Sequence, residues 1–216
     1  MLYRKHFIPL ESNPDIFNEL MQRLVASNHL RFEEVYTLDD PQALPRPALA
    51  AILVIPTTPR FEAKKAVLES TKVDYTGKGD NEPVVWFKQT INNACGLYSL
   101  LHALSNGRAR QLLSPRVLED PTELEEAYAA VASKGNSAVP ENAQNEVDFH
   151  YICLTSSGDS KGPVSQDVEL NPAGDVLRPN GLASIRALID DHEDGSIGFN
   201  LMVLIQDENI WHSDKP

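Results

Sequence analysis

Nine consecutive apolar residues, Ala48–Pro56 (ALAAILVIP), do most to limit what this chain can become. A half-buried strand alternates apolar and polar side chains, whereas a run with no polar face has to be covered on both sides. Pro45-Arg46-Pro47 keeps the backbone extended on entry, because proline fixes its own φ and biases the residue before it away from helix. The run therefore predicts a strand that sits centrally in a sheet. At 216 residues, 42% hydrophobic and 23% charged, the chain has the size and composition to bury such a strand in one domain.

Other segments supply the partners. Ser12-Asn13-Pro14-Asp15 reads as N-cap, first-turn proline and an acid suited to the helix dipole, and Ile16, Phe17, Leu20, Met21 and Leu24 give the following helix a buried stripe that Asn28 ends. Phe32–Thr37 is β-prone, Phe61–Glu69 is helical in composition with Lys64 and Lys65 on its solvent face, and Thr71–Pro83 is a polar loop. Ser114–Leu118 and Pro121–Ala132 predict helices, Gly181–Ile189 a late helix, and Ile197–Ile205 a core strand. The residues around Trp211-His212 read as a frayed tail.

The chemistry is concentrated in Gln89–Leu104, QTINNACGLYSLLHAL. Leu97, Leu100, Leu101 and Leu104 form a helical stripe, Asn106-Gly107 stops it, and Asn92 or Asn93 is expected to cap its start. Cys95 then falls in the first turn, where unpaired N–H groups and the dipole favour an anion and lower a thiol's pKa. Gln89 and the Cys95 backbone N–H are the candidate donors to an oxyanion. A lone cysteine is more often a buried core residue, so a base has to be found before the thiol is read as a nucleophile. Glu146–Leu154 (EVDFHYICL) is strand-like and offers His150; His102 lies seven positions along the helix, about 10 Å from Cys95, and is a poor base.

Taken together, QTINNACG before a leucine-rich helix, PRPALAAILVIP, LESNPD and VDFHYIC resemble the ubiquitin C-terminal hydrolase family of cysteine peptidases, from about Leu10 to Ile205. The resemblance implies a single α/β papain-like domain over residues 1–216, with a central, mainly antiparallel sheet flanked by helices and a knotted path. It also implies hydrolysis of small adducts from the C-terminal glycine of ubiquitin, with Cys95 as nucleophile, His150 as general base and Gln89 at the oxyanion, without a cofactor. Ser133–Glu146, the longest irregular run, matches the family's segment that crosses over the active site. The family's triad acid lies on a strand reading Leu-Tyr-Glu-Leu-Asp-Gly after the histidine. Here HYICLTSSGD runs straight into SKGPV, an internal deletion near 155–158 that leaves Ser157 at the acid's place and Asp159 as the nearest substitute. Two alternatives stay open: another thiol acyl-transfer enzyme on this fold, and a ubiquitin-binding protein with an incomplete, weakly active or inactive site.

The formal charge of −12 argues against nucleic-acid binding and suits a basic partner such as ubiquitin's tail. Cys95 and Cys153 could form one disulfide, but nothing else suggests secretion, and a reduced compartment fits better. No metal-ligand spacing, signal peptide or membrane-length apolar run is present, so a monomer of the cytoplasm or nucleus that binds ubiquitin and its adducts, and neither metal nor membrane, is the expectation.

Overall fold

Asn13 and Pro14 start the first helix in the expected way: the Asn13 side chain accepts from the Asp15 N–H at 2.9 Å, and proline fills the first helical position without wasting a donor. A computed structural model describes residues 3–25, 29–71, 84–112, 121–135, 148–155, 174–190 and 198–206. Helix α1 (Pro14–Val25) buries Ile16, Phe17, Leu20 and Met21, while the expected stop at Asn28 lies outside the described residues. Strand β2 (Leu30–Glu34) begins two residues before the β-prone run, with Leu30 and Phe32 inward and Arg31 outward. Asn18 of α1 accepts from the Phe32 N–H at 2.6 Å and donates to the Phe32 carbonyl at 3.0 Å. In this way a side-chain amide satisfies the edge of β2 as a neighbouring strand would.

The sheet is assembled around β3 (Ala48–Pro56), whose residues are all buried except Pro56. Its two partners are β5 (Phe149–Thr155) and β6 (Asn200–Gln206), giving the order β2-β6-β3-β5 with every pairing antiparallel. The apolar run thus takes an interior place, as its lack of a polar face requires. A short parallel pair joins β1 (Lys5–His6) to β4 (Ile91–Asn92).

Alternation along β3 sends Ala50, Ile52 and Val54 to one face, with α1, α3 (Cys95–Ser105) and α5 (Pro121–Ala132). Ala51, Leu53 and Ile55 face the other way, where α6 (Pro179–Asp190) and α2 (Pro59–Thr71) pack through Ile185 and Phe61. A small helix, α4 (Ala109–Leu112), follows α3. The entry to β3 is fastened by Asp175: one carboxylate oxygen accepts from the Ala48 and Leu177 N–H groups at 3.2 and 3.0 Å, and the other from Arg46 at 2.7 Å. The α/β class and the antiparallel sheet between helices are as expected. The helix at Ser114–Leu118, the loop at 72–83 and the tail lie outside the described residues, as does Ser133–Glu146 beyond Gly135. No helix among the described residues is long and apolar enough to cross a membrane.

Candidate active site

Cys95 is the first residue of α3, and it gets there by a route the sequence reading misplaced. Neither Asn92 nor Asn93 caps the helix. Ala94 does, at φ −95° and ψ 14° with no side-chain cap, while the buried Asn93 takes the left-handed conformation at φ 58°. Asparagine tolerates that region better than most residues, and the turn carries the chain from β4 straight into the helix. Gly96 allows the close packing that follows: a Cβ there would lie 3.2 Å from the Leu10 Cβ and 3.3 Å from its Cδ1.

That packing leaves Cys95 only 8% exposed and reverses the expected direction of its ionisation. Burial pushes the thiol up; hydrogen bonds from the backbone N–H groups of Tyr151, Gly96 and Cys95 itself pull it only part of the way back. The helix start supplies its donors, but desolvation outweighs them in the resting protein. Neither cysteine is in a disulfide, and both are buried.

His150 is paired with Ile55 on β5. Tyr151 and Cys153 belong to the core on the α3 face, Ile152 and Leu154 to the core on the opposite face. By alternation the His150 ring shares the side of Ile152, and it lies 6.3 Å from the Phe61 ring of α2. Burial, then repulsion from Lys65, holds it down to about 4. Among the described residues no hydrogen bond joins Cys95 to His150. Both nevertheless border one cavity of about 110 Å³, together with Gln89, Tyr98, His102 and Cys153. The cavity reaches residues from both faces because consecutive positions 150–153 of β5 contribute to its wall.

Gln89 sits in the segment 84–90, which runs along α3 without belonging to a sheet. Its Nε2 donates to the Ile91 carbonyl at 2.9 Å, which uses one of two N–H groups. Trp86 is 57% exposed and lines the cavity. His102 is no base: its Nε2 accepts from the Phe87 N–H at 2.9 Å, its ring stacks on Phe87 at 5.6 Å, and burial lowers it to about 4. Asn106 is the C-cap, as expected of the helix stop; the sequence does not show that it and Tyr98 hold the 84–90 segment, although 98, 102 and 106 repeat at the four-residue spacing of one helix face. Asp159 and Ser157 lie outside the described residues. Among the described residues no three His, Cys, Asp or Glu side chains gather to hold a metal ion.

A cysteine opening a buried helix, with a glutamine and a histidine around the same cavity, is the layout of a thiol hydrolase. The family model described as ubiquitin carboxyl-terminal hydrolase, family 1, matches residues 7–118. The chain belongs to that family. It is 29% identical to ubiquitin carboxyl-terminal hydrolase 3 of Arabidopsis thaliana, over 93% of this chain and 94% of that protein. With isozyme L1 of Sus scrofa it shares 30% identity over 68% of this chain and 73% of that one. The fold is similar to that of the Trichinella spiralis UCH37 catalytic domain, solved bound to ubiquitin vinyl methyl ester. The TM-score is 0.63, with 21% identity over 95% of this chain and 98% of that one.

Proposed function

We propose that this chain is a thiol-dependent hydrolase that releases small adducts from the C-terminal glycine of ubiquitin. The observation that carries the reading is Cys95 at the first turn of a buried helix, sharing one cavity with Gln89 and His150. The Cys95 thiol passes its proton to the neutral His150 imidazole, and the thiolate adds to the carbonyl of the terminal glycine. The free N–H of Gln89 and the Cys95 backbone N–H receive the oxyanion. Collapse expels the adduct's amine or alcohol, protonated by His150, and leaves a thioester on Cys95. Water, deprotonated by the same imidazole, then frees ubiquitin and the thiol. With the resting pair on opposite faces of the sheet, this reading requires the His150 imidazole to reach Cys95 once substrate is bound.

The third group of the triad is the weak point of this chain. The alignment to the Arabidopsis relative runs over 231 positions, while 93% of 216 residues is about 201, so about 30 of its positions have no counterpart here. A chain short of that many positions is in keeping with an internal deletion, which we assign to the stretch near 155–158, with Asp159 as stand-in acid and turnover weak. It also favours the second reading, a ubiquitin-binding protein whose site is incomplete. Two buried cysteines outside any disulfide and the charge of −12 fit a monomer acting on ubiquitin, a basic-tailed partner, in a reducing cytoplasm or nucleus, with no nucleic acid, membrane or cofactor involved.

The deciding experiment is a ubiquitin carrying an electrophilic C-terminus, read by intact mass, beside hydrolysis of a fluorogenic ubiquitin amide. One added ubiquitin on the wild type, none on Cys95→Ala, and measurable hydrolysis support the enzyme. Labelling at Cys153 removes the nucleophile assignment, and binding without labelling or turnover leaves the binding protein.

A further inference from the structure

Three side chains of the nucleophile helix hold the segment that carries Gln89, each on a different backbone group. Asn106, the C-cap, donates from Nδ2 to the Val85 carbonyl at 2.8 Å and accepts from the Val85 N–H at 2.7 Å, pairing with it as a peptide would. One turn earlier, His102 accepts from the Phe87 N–H at 2.9 Å. A turn earlier again, the Tyr98 hydroxyl accepts from the Thr90 N–H at 3.2 Å and lies 3.1 Å from the Thr90 Oγ1. Positions 106, 102 and 98 climb the helix toward Cys95 while their partners run the opposite way in sequence, 85 and 87 before Gln89 and 90 just after it.

Residues 84–90 belong to no strand; β4, the nearest, begins at Ile91 and pairs over only two residues. A misplacement of about 1 Å at a reacting centre costs up to about 10²-fold in rate. Here the register is set by the same rigid element that presents the thiol. We propose that Tyr98, His102 and Asn106 act as a clamp of positioning residues that keeps the Gln89 amide in register with the Cys95 thiol. The proposal rests on the reading of Gln89 as the oxyanion donor. It assigns a role to His102 that has nothing to do with proton transfer, and gives Tyr98 and Asn106 a positioning part in the reaction. Asn106 also donates to the His102 carbonyl at 2.9 Å, so the last two members are tied together.

Tyr98→Phe keeps the ring and removes the hydroxyl; His102→Phe keeps an aromatic ring for stacking and removes the acceptor. Each is compared with wild type, alone and combined with Gln89→Ala, on a fluorogenic ubiquitin amide. Each single change is expected to lower kcat about tenfold, with KM within about twofold, and to cost less than about twofold once Gln89 is alanine. Unchanged kcat, or losses that add fully to that of Gln89→Ala, overturn the clamp. Residue-resolved amide exchange is read on the same proteins: Thr90 should lose protection in Tyr98→Phe and Phe87 in His102→Phe, with unchanged melting of the rest of the fold. If the wild type cleaves nothing, the functional reading falls and exchange decides alone. Loss of protection together with a disordered Gln89 side-chain signal supports the clamp, and unchanged protection at both amides overturns it.

Discussion

Tyr151 directs its backbone N–H at the Cys95 thiol, while His150, one residue earlier on β5, presents its ring to the other face of the sheet. The strand therefore reaches the nucleophile through its backbone and withholds the base. With the thiol pushed up by burial and the imidazole held down to about 4, the resting pair is neutral.

Alkylation should report this directly. The rate of iodoacetamide labelling at Cys95, followed by peptide mass across pH 5 to 10, is expected to stay low to neutrality and to rise only above the ordinary thiol range of about 8.5. A reactive plateau below pH 7 would reveal a preformed thiolate–imidazolium pair and contradict the geometry.

Gln89→Ala is expected to lower turnover by roughly 10² to 10³ while affinity for ubiquitin is retained, in line with the loss of other single oxyanion donors. Titration of ubiquitin by calorimetry beside steady-state rates separates the two. Equal losses in both would make Gln89 a packing residue.

Stability should fall on mild acidification. The folded-state values of His102 and His150 lie at about 4 against an ordinary 6.5, so the unfolded chain binds more protons throughout that interval. Their contribution, of the order of 1–3 kcal/mol each, is fully present above about pH 6.5 and is lost as pH falls to about 4. Glu19, held low by Lys134 and then Arg23, gives up its share only below the ordinary carboxylate value of 4.5. Urea midpoints measured between pH 7 and 4 should decline, and more shallowly in His102→Phe; a flat profile would contradict the burial of both rings.

Restoring a strand with a triad acid after Leu154 is expected to raise kcat by roughly 10² to 10⁴, the range lost when a triad acid is disabled. Asp159→Ala in the present chain is expected to lower the weak turnover that remains. If it abolishes a full activity instead, Asp159 completes the triad and the deletion has no catalytic cost.

What the sequence revealed follows from which forces are local. Ala48–Pro56 and Pro121–Ala132 fall where expected, the first because its side chains leave no solvent face and the second because proline opens a regular helix. The edges of β2 moved, since pairing with β6 and the Asn18 amide fix them from outside the run. Period-two alternation says that His150 and Tyr151 face opposite ways, but only the packed helices say which of them meets Cys95. The thiol's ionisation was misjudged for the same reason. Its helix start is written in the sequence, whereas the burial that outweighs it comes from packing beside Leu10 and β5. Asn18 and Asn106 look like ordinary polar positions until each is found paired with both backbone groups of one distant residue.

Strand β6, the last described element, lies between β2 and β3, which precede it by more than a hundred residues. On the ribosome, therefore, the first nine-tenths of the chain emerges with a slot where its sheet should close. Leu201, Val203 and Ile205 have to arrive before Leu53 and Ala51 are shielded on that flank. Such a chain waits in the cell with two exposed strand edges facing each other, open to chaperones and to pairing with other nascent chains until Asn200–Gln206 is made.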